Sequence, residues 1–214
     1  DVTNPQAPEW VGAGTLSSGA TDGTPSRIKM KGEKLYAATW RKGIQVVDIN
    51  QLKSGFVPCC SAAYFNMSKD LNLDGGSFNS GAVISTIDVI DPVSPSVKPW
   101  MRDISVIDVN GESIIAVASA IGLVLANEAQ VRVVYSGQPS HGGRTMVYAY
   151  AVETALIGSR PVVLVAGIDA TGQNILIVVD ITNPEHPIGS MTLATRGLAI
   201  ADIEIEGDKA YIGF

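Results

Sequence analysis

The stretch NILIVVDITNPEHPIGS, Asn174 to Ser190, joins an unbroken β-branched run to an aspartate and a turn carrying two prolines. Such a run, bounded by turns, reads as a strand buried on both faces of stacked sheets. Its second half recurs: DITNPEHP (Asp180–Pro187) is matched by DVTNPQAP (Asp1–Pro8) and DVIDPVSP (Asp88–Pro95). Each copy has an aspartate, a β-branched residue, two turn-forming positions, a proline, two variable positions and a second proline. Two weaker copies lie between them, VVDINQLKSG around Asp48 and VVYSGQPS, in which Tyr135 replaces the aspartate and Pro139 keeps the first proline. The repeat starts fall near residues 1, 48, 88, 135 and 180, spaced 47, 40, 47 and 45 apart. A period of that size marks a repeat architecture.

A second landmark follows each turn: IKMKGEKLYAA (Ile28–Ala38), VIDVNGESIIAVA (Val106–Ala118), AVETALIGSRPVVLVA (Ala151–Ala166) and IEIEGDKAYIGF (Ile203–Phe214). Alternating residues, a Gly-polar turn and a second alternating or apolar run are the pattern of a β-hairpin. A third landmark precedes each next turn, GIQVVDI, AVISTIDV, AQVRVVY and NILIVVDI; the first, third and fourth are expected in equivalent places. One unit then comprises an Asp-x-x-x-Pro turn, an outer strand, a hairpin and a buried strand. The expected fold is all-β: β-propeller blades of four antiparallel strands, about five units within one domain over 1–214, interrupted by an irregular insertion at 54–81. No segment has the capped amphipathic periodicity of a helix.

IEIEGDKAYIGF, NILIVVDI and DITNPEHPIGS together resemble the LVIVD-repeat β-propellers of large secreted or surface proteins of bacteria and archaea. The resemblance implies mainly architecture, with no single chemistry attached. The second unit departs from it, because Ser54 to Gly81 stands where its hairpin belongs. The chain starts just after the place of one VVD-type strand and stops just before the next, so a longer ring, of which this chain is a part, is expected, with a small closed ring of the five units as its alternative.

Composition agrees with an all-β chain. Hydrophobic residues make up 46% and charged residues 17%, with 22 glycines and 11 prolines, which suits buried strands joined by tight turns. A net charge of −6 without a basic cluster argues against nucleic acid as a partner. The longest apolar stretch, Ile114–Ala126, contains Ser119 and Gly122 and is shorter than a spanning helix needs, so no transmembrane segment is expected. Residue 1 opens into the turn motif, so any targeting segment is expected upstream. The two cysteines, Cys59 and Cys60, are adjacent, which leaves two thiols or a strained vicinal disulfide.

The strongest chemical signal is DLNLDGG in the insertion. Asp70, Asn72 and Asp74 alternate oxygen ligands, Gly75 provides the sharp turn and the Gly76 carbonyl stands where a backbone ligand belongs, as in the first half of an EF-hand or dockerin-type Ca²⁺ loop. Phe78 and Gly81 occupy the remaining ligand positions, so the bidentate carboxylate is missing. A weak structural Ca²⁺ is the expectation, with a plain Asx-rich turn as its alternative. His141 and Arg144 in SHGGRT flank two glycines that could bring amides to an anion, although an ordinary loop is the blander reading. His186 is expected on a turn surface, and Asn66-Met67-Ser68 is formally a glycosylation acceptor. The repeated aspartates Asp1, Asp88 and Asp180 read as Asx-turn caps rather than paired catalytic carboxylates. Trp10, Trp40 and Trp100 read as inter-blade packing.

No nucleophile elbow, phosphate loop, zinc motif or dinucleotide fingerprint is present, so no catalytic or cofactor-binding residue is assigned. The expected function is a non-catalytic binding or scaffolding module of a secreted or cell-surface protein, with a protein or carbohydrate ligand. The competing class is a hydrolase-like or other enzyme using acidic residues on a propeller face or in the central channel.

Overall fold

The computed structural model describes residues 25–39, 43–54 and 83–214, apart from 93, 97, 196 and 208. The segments that carry the first octamer, Trp10, Trp40, the cysteine pair, the sequon and the whole DLNLDGG loop lie outside the described residues.

The first sheet is an antiparallel meander of β1 (Pro25–Lys31), β2 (Lys34–Thr39), β3 (Gly43–Asp48) and β4 (Val83–Ile87), with a short helix α1 (Ile49–Ser54) after β3. The second repeats it with β5 (Met101–Val109), β6 (Glu112–Ser119), β7 (Gly122–Asn127) and β8 (Arg132–Gly137). In the third, a two-residue strand β9 (Ser140–His141) leads into β10 (Arg144–Ile157), β11 (Arg160–Asp169), β12 (Asn174–Asp180) and β13 (Ile188–Ala194). A hairpin of β14 (Asp202–Glu206) and β15 (Lys209–Gly213) repeats the opening of each sheet. The four-stranded antiparallel blade anticipated from the sequence is the unit of the fold.

Side-chain parity shows how the blades stack. On β6, Ile115 and Val117 join a core shared with Tyr36, Val46 and Ile87 of the first sheet, while Ile114, Ala116 and Ala118 join a core shared with Val163, Val165 and Ile177 of the third. The same division separates Leu123 and Leu125 from Val124 and Ala126 on β7. The third sheet repeats it: Leu164, Leu176 and Val178 share a core with Ile203 of the final hairpin and Ile200 just before it. Successive strand residues point to opposite faces, so a sheet covered on both sides must be apolar at every position. That is the physical reason the central strands read as continuous hydrophobic runs.

Sheets meet chiefly through their first strands: β5 packs on β1 and on β10, and β10 packs on β14. These four strands are the inner ones, and the sheets fan outward from them about a common axis, as blades do.

The sequence units and the blades are out of phase. NILIVVD is β12, the third strand of its sheet, and the DITNPEHP turn leads to β13, the fourth strand of the same sheet. GIQVVD is likewise a third strand, β3. AQVRVVY, expected to be equivalent to these two, instead ends in β8, a fourth strand, as AVISTIDV does in β4. In the second sheet the third strand is GLVLAN, which ends without a Pro-containing octamer because a short turn, not an Asp-Pro loop, joins it to β8. The marker that aligns the sheets there is glycine. Gly43 and Gly122 open the third strands with φ of 86° and 101°, and a Cβ would fall 2.2 Å from the Ile87 carbonyl oxygen or 2.4 Å from that of Gly137. Only a residue without a Cβ fits so close to the neighbouring strand.

Candidate functional site: the axis and the platform beside it

Beyond the first two residues of β10, which pair with β9, each inner strand is the edge of its sheet, and edge amides need partners. On β10 they come from the neighbouring blade. Val152 N–H donates to Asp103 Oδ2 at 2.9 Å and Thr154 N–H donates to Ser105 Oγ at 3.2 Å, so β5 caps the open edge of β10 with side chains. Ser105 also donates to Glu153 Oε1 at 2.6 Å, and Lys29 of β1 donates to Glu153 Oε2 at 2.7 Å. Arg27 completes the cluster, 3.8 Å from Asp103 and 3.6 Å from Asp202 on β14. All four inner strands thus contribute to one polar network at the axis.

Its electrostatics follow from burial and charge. Burial pushes the Asp103 carboxyl above its ordinary range, against the opposing pull of the Val152 and Ile104 amides and of Arg27. Burial alone would lower the Lys29 ammonium, but the hydrogen bond it donates to Glu153 and the charges of Glu153, Glu204 and Asp103 leave it above its ordinary value. Two more cross-blade pairs extend from the first sheet: Lys31 with Asp108, and Lys34 with Glu128, which also accepts from Tyr36 Oη at 2.6 Å. The inward carboxylates that would suit an acid–base site are present, but each of Asp103 and Glu153 is already engaged by a cation and by hydrogen-bond donors.

Beside this network lies an aromatic platform. Arg102 of β5 sits 5.9 Å from the ring of Trp100 and 5.7 Å from that of Tyr148, donates from Nε to Tyr148 Oη at 2.8 Å, and Tyr148 lies 5.1 Å from Tyr150. A guanidinium between two rings is a cation–π arrangement. Trp100 is 39% exposed and belongs to none of the apolar cores, so the expectation that it packs between blades is corrected: its indole flanks a charged side chain at the surface. The signal was present as the spacings Trp100-x-Arg102 and Tyr148-x-Tyr150 near the starts of β5 and β10, but Arg102 and Tyr150 fall at register shifts, so strand alternation alone does not place them together.

The other sequence candidates separate. SHGGRT is the tight hairpin between β9 and β10, with Gly142 and Gly143 at φ of 59° and 76°. Arg144 is held by Asp169 at 2.7 Å and Gln173 at 2.8 Å, and His141 Nδ1 lies 2.9 Å from the Gly189 carbonyl oxygen, so the loop's charge is spent internally. His186 is exposed in its turn, as expected. Asp180 accepts from Thr182 N–H at 2.8 Å and Asp48 from Asn50 N–H at 2.8 Å, the Asx-turn role. Asp88 differs: it receives Lys98 at 2.6 Å, and Asp91 takes the turn amide of Ser94. Asp70, Asn72, Asp74 and Gly76 lie outside the described residues, and no group of three or more His, Cys, Asp or Glu among the described residues is arranged to hold a metal.

The LVIVD-repeat model matches residues 22–54 and 170–195, and both matches contain a third strand that ends in a turn-capping aspartate, Asp48 or Asp180. The chain carries LVIVD repeats at these two stretches. LVIVD repeats form β-propeller-like folds, in keeping with the blades described above. No curated protein matches the sequence. No helix among the described residues is long and apolar enough to cross a membrane.

Proposed function

We propose that this LVIVD-repeat chain is a non-catalytic binding or scaffolding module of a larger secreted or surface protein, and that its platform of Trp100, Arg102, Tyr148 and Tyr150 takes a protein or carbohydrate ligand. The observation that carries the reading is the contrast between that platform and the axis. Asp103 and Glu153 are committed to amides, a hydroxyl and cations of the blades themselves. Trp100, Arg102 and the two tyrosines instead form a partly exposed aromatic and guanidinium surface, a composition enriched where proteins bind partners.

The test is retention of the chain on immobilised glycan and peptide panels, comparing wild type with Trp100→Ala and Tyr148→Ala. Retention that is lost in both variants with unchanged circular dichroism supports the reading; retention indifferent to both removes it. A second reading rests on the raised pKa of Asp103, which suits a general acid at the axis. Cleavage of a panel glycan that Asp103→Asn abolishes would favour that enzyme class. The insertion loop, through Asp70, Asn72, Asp74 and the Gly76 carbonyl, is proposed to take a structural Ca²⁺. Calorimetry with millimolar Ca²⁺ tests it, and the absence of heat would leave an ordinary turn.

A further inference from the structure

Two inner strands occupy the same place in their blades and carry opposite charge. Lys31 pairs with Lys34 and Glu206 with Lys209 at the ends of their hairpins, so Lys31 corresponds to Glu206, Lys29 to Glu204 and Arg27 to Asp202. RIKMK on β1 is answered by DIEIE on β14, position by position, with apolar residues alternating between the charges. The inner strands between them do not repeat either pattern: Ser105 and Glu153 stand at the position of Arg27 and Asp202, and Ile107 and Ala155 at that of Lys29 and Glu204.

We propose that β1 and β14 form a charge-complementary seam that holds the first and fourth inner strands as neighbours about the axis. The Arg27 guanidinium lies 3.6 Å from the Asp202 carboxylate although 175 residues separate them, and Lys29 is within electrostatic reach of Glu204. Two β1 strands, or two β14 strands, placed together would set like charges opposite one another, so the pattern disfavours homotypic pairing of either of these strands. The side chains of Arg27 and Asp202 are 49% and 59% exposed, and a single pair of that kind is weak. The seam therefore acts through its successive positions and through repulsion in wrong alignments. This goes beyond the proposed binding role and stands or falls separately from it.

The test reverses the anionic strand. Asp202 and Glu204 are exposed, so Asp202→Arg with Glu204→Lys leaves the apolar cores intact. The double reversal is expected to lower the melting temperature by about 2–4 °C, with a smaller fall in Asp202→Asn with Glu204→Gln. Adding Arg27→Asp and Lys29→Glu should recover part of the loss, the remainder reflecting the contacts of Arg27 with Asp103 and of Lys29 with Glu153. In 1 M salt, where screening acts within about 3 Å, the fall should largely vanish. No change on reversing β14, or no recovery in the combined variant, would overturn the seam. So would a reversal that changes the sedimenting mass without changing the melting temperature, because the partner strand would then belong to a second copy.

Discussion

The layers between blades and the axis where the blades meet are built on opposite principles. Between the second and third sheets, Ile114, Leu123 and Leu125 meet Val163, Ile175 and Ile177 with almost no exposure, and the contact is indifferent to which apolar residue supplies the volume. At the axis, Lys29, Asp103, Ser105, Glu153 and Thr154 make bonds with fixed partners. Apolar layers give stability without fixing which blade lies beside which; directional polar contacts at the inner edge supply that information at a smaller net gain.

The largest effect should come from the layers. Leu125→Ala removes a fully buried side chain from between two sheets that cannot easily close the gap, and should cost about 2–5 kcal/mol by denaturant unfolding. A loss below 1 kcal/mol would mean that the sheets are not stacked as described. Glu153→Ala at the axis removes the acceptor of Lys29 and leaves Ser105 with Thr154 as its partner, and should cost about 1–3 kcal/mol. Glu153→Gln, which keeps an oxygen acceptor for only one of the two donors, should lose less than Glu153→Ala, and equal losses would show that the charge and the second acceptor, rather than a single bond, hold the cluster.

The two octamers sharpen the same contrast at the rim. Asp180→Ala removes the cap on Thr182 and should cost about 0.5–1 kcal/mol at neutral pH. Its hydrogen bonds with Thr182 hold the Asp180 carboxyl below its ordinary range, so the stabilisation is present above the unfolded value and is lost as pH falls through the native one. The difference between wild type and Asp180→Ala should therefore fade below about pH 4. Asp88→Ala loses an exposed pair with Lys98 and should stay within about 0.5 kcal/mol of wild type.

That difference also explains what was legible in the sequence. The blade strands and hairpins were, because two-faced burial writes continuous β-branched runs and tight Gly turns into the chain. Blade phase was not. DVIDPVSP looks like DITNPEHP, yet Asp88 follows a fourth strand and leads out of its blade, whereas Asp180 turns the chain back within one. Turn chemistry is local and can be reused at any reversal, while phase is set by which strand pairs with which, a long-range property. Gly122-Leu123, which parallels Gly43-Ile44, carried the correct register but has too little composition to stand out. The axial network was hidden for a related reason: Lys29, Ser105 and Glu153 are unremarkable in sequence and acquire partners only when three blades converge. The platform was half legible, since Trp100 was noticed but Arg102 and Tyr148 were not joined to it.

The most direct test of the account is amide hydrogen exchange at Val152 and Thr154. Both lie on the inner edge of β10, where an isolated sheet would leave them open to water. If neighbouring blades close that edge through Asp103 and Ser105, both amides should exchange as slowly as those of β11 and β12, and Asp103→Ala should release Val152 while leaving the β12 amides protected. Exchange of both amides at unprotected rates in the wild-type chain would contradict it.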